Sequence, residues 1–208
     1  DLIKYGMEYE FKDWLVMPAA YYKGNTEEGV YNFYKHIISQ VPKVRIILYN
    51  FEKLSSFLFT PNFVKKLVAS FPKNIIGVKD SSYNLYEKLK IPNFLIYPGS
   101  EAKLFKGLEL GCAGTISAVT QITHSLARKV FDDYEKKEKQ THNDKLIEVR
   151  ETFDKYNLIS ALHSYLSLKD VKFENLLPPL TLLKPEEKKI LIQTLDGLNF
   201  KFDKNLAA

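Results

Sequence analysis

Short apolar runs recur through the first 120 residues: 14–18 (WLVMP), 44–49 (VRIILY), 74–79 (NIIGVK), 94–97 (FLIY) and 113–118 (AGTISA). Each is rich in β-branched and aromatic residues and has the length of a strand covered on both faces. Between them the apolar positions change to helical spacing. Residues 28–39 carry Val30, Phe33, Tyr34, Ile37 and Ile38, and residues 61–70 carry Phe63, Val64, Leu67 and Val68. Leu85 and Leu89 predict a helix over 82–89, and Leu104 and Leu108 another over 101–110. Starts are marked by Asn25-Thr26-Glu27-Glu28, Thr60-Pro61 and Gly99-Ser100-Glu101, segments with residue types that satisfy the free amides of a first turn. After residue 120 only helical spacing remains: one helix over 122–138, another over 144–166, and a last one opened by Pro185-Glu186-Glu187.

Strand–helix alternation at this spacing predicts βα units around a parallel sheet. An open doubly wound sheet and part of a (β/α)₈ barrel both fit it. A whole barrel needs eight units in about 250 residues, more than these 208 residues hold.

In either fold, chemistry collects at the C-terminal ends of the strands. Those ends carry Tyr21-Tyr22, Tyr49-Asn50, Lys79-Asp80, Gly99-Ser100-Glu101 and Ile116-Ser117-Ala118. Lysine seldom ends a buried run without a reason. Lys79 is therefore a solvated loop residue or a useful amine, and Tyr49 is a packing residue or a proton carrier at the same height on the neighbouring strand. Burial disfavours the ammonium, by roughly 3–5 pKa units when complete, and the neutral amine can attack a carbonyl.

Composition narrows the classes. The chain is 45% hydrophobic and 26% charged, ordinary for a globular domain. The net charge is +5 and the pI about 9.0, but the dense run 135–139 (EKKEK) mixes both signs and reads as a solvated helix face. Nucleic-acid binding would rest on the pI alone. Cys112 is the single cysteine, which fits a reducing cytoplasm. No stretch approaches the roughly 18 apolar residues of a membrane span. His36, His124, His142 and His163 lack metal-ligand spacing, and Gly111-Cys112-Ala113-Gly114 is not a phosphate-binding signature.

The segments "PAAYYKGNTEEGVYNFY", "RIILYN", "NIIGVKDSS" and "YPGSEAKLFKGLELGCAGTIS" resemble, in order and spacing, the dihydrodipicolinate synthase / N-acetylneuraminate lyase family. Its members are (β/α)₈ aldolases and lyases that use pyruvate or a 2-keto acid. The resemblance implies strands 4–8 of the barrel plus a C-terminal helical extension. It divides the chain into barrel at 1–120, last barrel helix and extension at 121–204, and a tag-like end at 205–208. The chain then begins within the third helix, and the family's Gly-Thr-Thr-Gly-Glu motif is absent.

The resemblance also implies roles. Lys79 matches the Schiff-base lysine, Tyr49 the proton-relaying tyrosine, and Tyr22 a tyrosine that reaches a neighbouring subunit's site, hence a homodimer or homotetramer. Ile116 matches the position that turns backbone groups toward the pyruvyl part. Gly99, Glu101, Ala118 and Leu54 fall where members bind the rest of the substrate. No metal or organic cofactor is implied, because the imine on Lys79 is the electron sink. Synthases carry Pro at Glu52 and Arg at Leu54. Leu54-Ser55 resembles the sialic-acid lyase branch, with Ser56 at its usual Gly. That favours a lyase or aldolase acting on a sugar-derived 2-keto acid. The alternative is a non-catalytic keto-acid-binding or scaffold protein on the same fold.

Overall fold

A computed structural model describes residues 1–202, so the tag-like end at 205–208 lies outside the described residues. The chain divides into two compact units, one of residues 1–99 with 109–115, the other of 100–108 with 116 onward.

The first unit opens with α1 (Leu2–Glu8) and β1 (Asp13–Val16), followed by α2 (Glu27–Gln40) and β2 (Arg45–Asn50). Next come α3 (Glu52–Ser55), α4 (Pro61–Ser70), β3 (Ile75–Asp80) and β4 (Leu95–Pro98). Thr26 caps α2 through Gly29 N at 3.1 Å, and Thr60 caps α4 through Phe63 N at 3.1 Å, with Pro61 in the first turn. All strand pairs are parallel, in the order β1-β2-β3-β4. A doubly wound sheet reverses its strand order at a switch point, whereas crossovers of one hand with no reversal keep every helix on one face. The core has that one-sided form. Tyr34 and Ile38 of α2 and Phe63 and Leu67 of α4 pack with Ile46, Leu48, Ile75, Val78 and Ile96 of the strands. This is the winding of a barrel. Tyr34 is fully buried and its phenol donates to the Val16 carbonyl at 2.9 Å. That satisfies a hydroxyl whose pKa burial holds well above the usual value.

Two expectations for this unit change. The fifth apolar run, 113–118, is not a strand. Ala113 N bonds the Ile96 carbonyl at 2.9 Å, but Gly114 then turns to φ +146°. Pro98 O is taken by the Thr115 hydroxyl at 2.8 Å rather than by a backbone amide. The helix over 82–89 does not form either, because its amides are claimed by a side chain. Leu85 N and Tyr86 N both donate to Asp80 Oδ2, at 2.8 and 2.9 Å, and such local bonds compete with a helix.

The second unit holds a 3₁₀ turn (Glu101–Lys103), α5 (Leu104–Glu109), α6 (Thr120–Glu135) and α7 (Asn143–Asp154). α8 (Leu158–Leu166), a second 3₁₀ turn (Val171–Glu174) and α9 (Pro185–Gly197) complete it. The expected helix over 144–166 is two helices. Asn157 breaks it by capping α8, its side chain accepting from Ser160 N at 3.1 Å. Val149, Phe153, Leu162, Leu166, Leu191 and Leu195 share one buried cluster of this unit. Among the described residues no helix is long and apolar enough to cross a membrane.

Ser56, after α3, has φ 54°, a conformation that costs a residue with a Cβ roughly 1–2 kcal/mol. Part of the strain relief is offset by glycine's greater freedom in the unfolded chain, so Ser56→Gly is expected to raise stability by roughly 0.5–1 kcal/mol, read from urea denaturation.

Candidate active site

Strand geometry brings Tyr49 and Lys79 together. They are direct register partners on β2 and β3, and Lys79 is in turn the partner of Tyr97 on β4. Side chains of parallel neighbours in register point to the same face, so the three form a row across the sheet on the face opposite the helices. Lys79 Nζ lies 4.2 Å from the centroid of the Tyr49 ring, within the range where a ring face attracts a cation. Phe51 backs the Tyr49 ring at 6.0 Å with 24° between planes, which limits its swing. Among the described residues the amine has no carboxylate partner, since the adjacent Asp80 points to the other face and is consumed there. Tyr97 is half-buried, and burial, with the charge of Asp13 adding, raises its phenol pKa.

Behind the row, each of the two chemical residues is followed by a fully buried polar one. Asn50 Nδ2 donates to Asp80 Oδ1 and to Asn84 Oδ1, both at 2.7 Å, and Asn50 Oδ1 accepts from Phe59 N at 3.2 Å. Asn84 Nδ2 donates to the Phe59 carbonyl at 2.8 Å. The backbone is tied at the same level, with Ser81 N on Asn50 O at 2.8 Å and Gly99 N on Asp80 O at 2.9 Å. Asn50, Asp80 and Asn84 were not among the sequence candidates. Their signal was available, because a polar residue at a core-facing strand position must find partners.

The other predicted residues of this unit stand apart from the pair. Tyr22 is 68% exposed in the loop after β1, edge-on to Tyr21 at 5.7 Å. Leu54 is 50% exposed on α3. Gly99 is required by packing: a Cβ there would come within 2.0 Å of Ser81 Oγ and 2.9 Å of Ser81 Cα. Cys112 is buried, which pushes its thiol pKa up to about 11, so it is no nucleophile at neutral pH.

Glu101, Ile116 and Ala118 belong to the second unit. Ile116 is half-buried and Ala118 exposed, in the segment leading to α6. Glu101 is fully buried, and its carboxylate faces protein groups. Oε1 accepts from Thr123 Oγ1 at 2.9 Å, and Oε2 from the Ser117 hydroxyl and from Arg150 Nη1 at 3.1 Å. Arg150 also donates to Ser117 Oγ at 2.8 Å and grips Asp154 Oδ1 through Nε and Nη2 at 2.9 and 2.8 Å. These acidic partners outweigh desolvation and raise the guanidinium pKa further. The sequence reading missed Arg150, although it sits among Leu146, Val149 and Phe153 on the apolar stripe of α7, an unusual place for an unpaired cation. Among the described residues no group of three or more His, Cys, Asp or Glu side chains could hold a metal.

A singly wound parallel sheet is the winding of a barrel, and likeness to known proteins gives this one a family. The chain belongs to the Dihydrodipicolinate synthetase family, whose pattern matches residues 6–197. It is 26% identical over 178 residues to the 2-dehydro-3-deoxy-D-gluconate/2-dehydro-3-deoxy-phosphogluconate aldolase of Picrophilus torridus, which covers 82% of this chain and 65% of that protein. It is 33% identical over 139 residues to the 4-hydroxy-tetrahydrodipicolinate synthase of Wigglesworthia glossinidia brevipalpis, covering 62% of this chain and 46% of that one. The chain thus spans about half to two thirds of the length of these curated relatives. Among solved structures, YagE of Escherichia coli K12, a prophage protein of the dihydrodipicolinic acid synthase family in complex with pyruvate, superposes with a TM-score of 0.85 at 20% identity. That match covers 95% of this chain and 70% of that one. Dihydrodipicolinate synthase from Agrobacterium tumefaciens gives 0.81 at 22% identity, over 93% and 68%. At these identities the superpositions establish the fold: this chain carries part of a (β/α)₈ barrel together with further helices.

Removing one partner of a buried ion pair leaves the other charge unmatched, at a cost of about 3–5 kcal/mol. Arg150→Met is expected to lose roughly 3 kcal/mol in chemical denaturation. Glu101→Gln, which keeps an acceptor for Arg150 and adds no charge, is expected to lose less.

Proposed function

We propose that this chain carries the Schiff-base centre of a pyruvate-yielding lyase or aldolase that acts on a sugar-derived 2-keto acid. The observation that carries this reading is the Lys79 amine over the Tyr49 ring, unmatched by any carboxylate among the described residues, in a family whose curated relatives are named as aldolases and synthases. The aldolase relative from Picrophilus torridus, covering 82% of this chain, supports the sugar-acid branch. So does Leu54 at the place where synthases carry a carboxylate-binding arginine.

In this mechanism the Lys79 amine adds to the ketone, and the Tyr49 phenol gives its proton to the carbinolamine hydroxyl, so that water leaves and an iminium and the Tyr49 phenolate remain. Tyr49 takes the proton of the substrate hydroxyl as the neighbouring carbon–carbon bond breaks. The bonding pair moves into the iminium to form an enamine, and the aldehyde departs. Tyr49 returns the proton to the enamine carbon, and water hydrolyses the imine to release pyruvate and free lysine. The lysine is the electron sink, so the reading requires neither metal nor organic cofactor. By the family resemblance, Ile116, Ala118 and Leu54 are assigned to substrate binding. Gly99 keeps its strand end close to Ser81, and Glu101 holds the Ser117, Thr123 and Arg150 side chains. Tyr22 would act on a neighbouring subunit in a cytoplasmic homodimer or homotetramer.

The test is incubation of the full-length protein with pyruvate and borohydride, followed by peptide mass spectrometry. A pyruvyl adduct on Lys79, absent from Lys79→Arg, is the expected result. Tyr49→Phe is expected to keep the adduct and to lose about 10²–10⁴-fold in turnover, the usual worth of a proton relay. If intact protein forms no adduct yet still binds pyruvate, the non-catalytic keto-acid-binding reading replaces the lyase.

A further inference from the structure

We infer that Asn50 and Asp80 are positioning residues for the Lys79–Tyr49 pair, each holding the side chain immediately before it through a buried lattice on the opposite face of the sheet; this rests on the lyase reading above. The geometry has two parts. First, Tyr49-Asn50 and Lys79-Asp80 are adjacent dipeptides in register, Tyr49 opposite Lys79 and Asn50 opposite Asp80. With a side-chain period of two, any slip or twist of one strand end moves the reactive residue and its anchor together. Second, the anchors are saturated. Both Asn50 amide hydrogens are spent, on Asp80 Oδ1 and Asn84 Oδ1, and its oxygen holds Phe59 N. Asp80 Oδ2 holds Leu85 N and Tyr86 N. Both residues are wholly inaccessible to solvent.

The lattice also satisfies the Phe59, Leu85 and Tyr86 amides, which apolar residues at these places would leave without partners. The lattice adds directional bonds at the one level of the sheet where the amine meets the ring. It also ties the loops after both strands, through Phe59, Asn84, Leu85 and Tyr86, to those strand ends. A near-attack geometry lost by about 1 Å costs about 100-fold in rate. A register-locking pair directly behind the reacting groups acts on that distance.

The experiment uses the full chain, pyruvate as probe and borohydride trapping, at a temperature where circular dichroism shows each variant folded. Asp80→Asn is nearly isosteric but turns a donor toward either Asn50 Nδ2 or the Leu85 and Tyr86 amides. The expected result is an adduct-formation rate at Lys79 lower by about 10- to 100-fold, with the half-saturating pyruvate concentration changed less than about threefold. Asn50→Asp combined with Asp80→Asn reverses the polarity of the joining bond and is expected to recover part of the rate. Wild-type trapping rates in folded Asp80→Asn would overturn the inference. If Asp80→Asn does not fold, Asn84→Ala, which cuts the outer bonds to Asn50 and Phe59 and spares the carboxylate, is expected to show a smaller loss of the same kind; no loss overturns it. If the wild-type chain forms no adduct, the lyase reading fails by itself. Amide exchange of residues 48–51 and 78–81 in the variants then decides this inference, with acceleration supporting it and unchanged exchange overturning it.

Discussion

A parallel strand turns successive residues to opposite faces, and in this chain everything of chemical interest depends on that alternation. On β2 the residues facing the helices are Ile46, Leu48 and Asn50, and on β3, beyond an irregularity in the pairing opposite Ile46 and Ile47, they are Val78 and Asp80. Those between them, Ile47, Tyr49 and Lys79, remain partly accessible. Burial of the first set against α2 and α4 fixes which way the second set points. A shift of one residue would bury the lysine and expose the core, a cost of several times the roughly 1.5–3 kcal/mol each large apolar side chain gains from burial. The register of Tyr49 with Lys79 is thus enforced by the hydrophobic effect acting on their neighbours.

The same alternation explains why the ends of these strands are polar on both faces. Toward its C-terminal end a barrel strand runs out of helix to pack against, and buried groups there have to find hydrogen bonds instead of apolar contacts. Asn50 and Asp80 do so with each other and with the loops that follow. That use of Asp80 is also why residues 82–89 fail to become the helix their leucines predict. Leu85 and Leu89 still reach the core, but their backbone is arranged around a carboxylate. Apolar periodicity reports which side chains are buried; it does not report which partner takes the amides.

Much of the fold was legible on these grounds. The strands at 14–18, 44–49, 74–79 and 94–97 and the helices at 28–39 and 61–70 lie within a residue or two of their expected limits, because each combines a clear period with a cap. The choice between barrel and doubly wound sheet was not legible from local pattern. It is a property of strand order, visible only in the pairing and, beforehand, only through resemblance to a family. The run 113–118 misled because Ala, Gly, Thr and Ser can satisfy a strand's composition without a strand's bonding, and Gly114 leaves the extended region. In the site, the pairing of Tyr49 with Lys79 was readable from equal heights on neighbouring strands. The pairing of Glu101 with Arg150 was not, because the two lie 49 residues apart; the arginine on an apolar stripe announces a buried partner but does not say which.

The contrast among the interior charges bears on function. Asp80 is met by the Asn50 amide and two backbone amides. Glu101 is met by two hydroxyls and a guanidinium. Such full matching is what the cost of burying a carboxylate demands, and it leaves neither group free to turn toward a substrate. Lys79 differs: among the described residues its amine meets only the face of an aromatic ring, a weak partner worth roughly 0.5–2 kcal/mol. The fold matches its other interior charges with charge or hydrogen bonds and leaves this one amine against the face of a phenol ring. That contrast, more than the presence of a lysine in a sheet, sets Lys79 apart from the other interior charges.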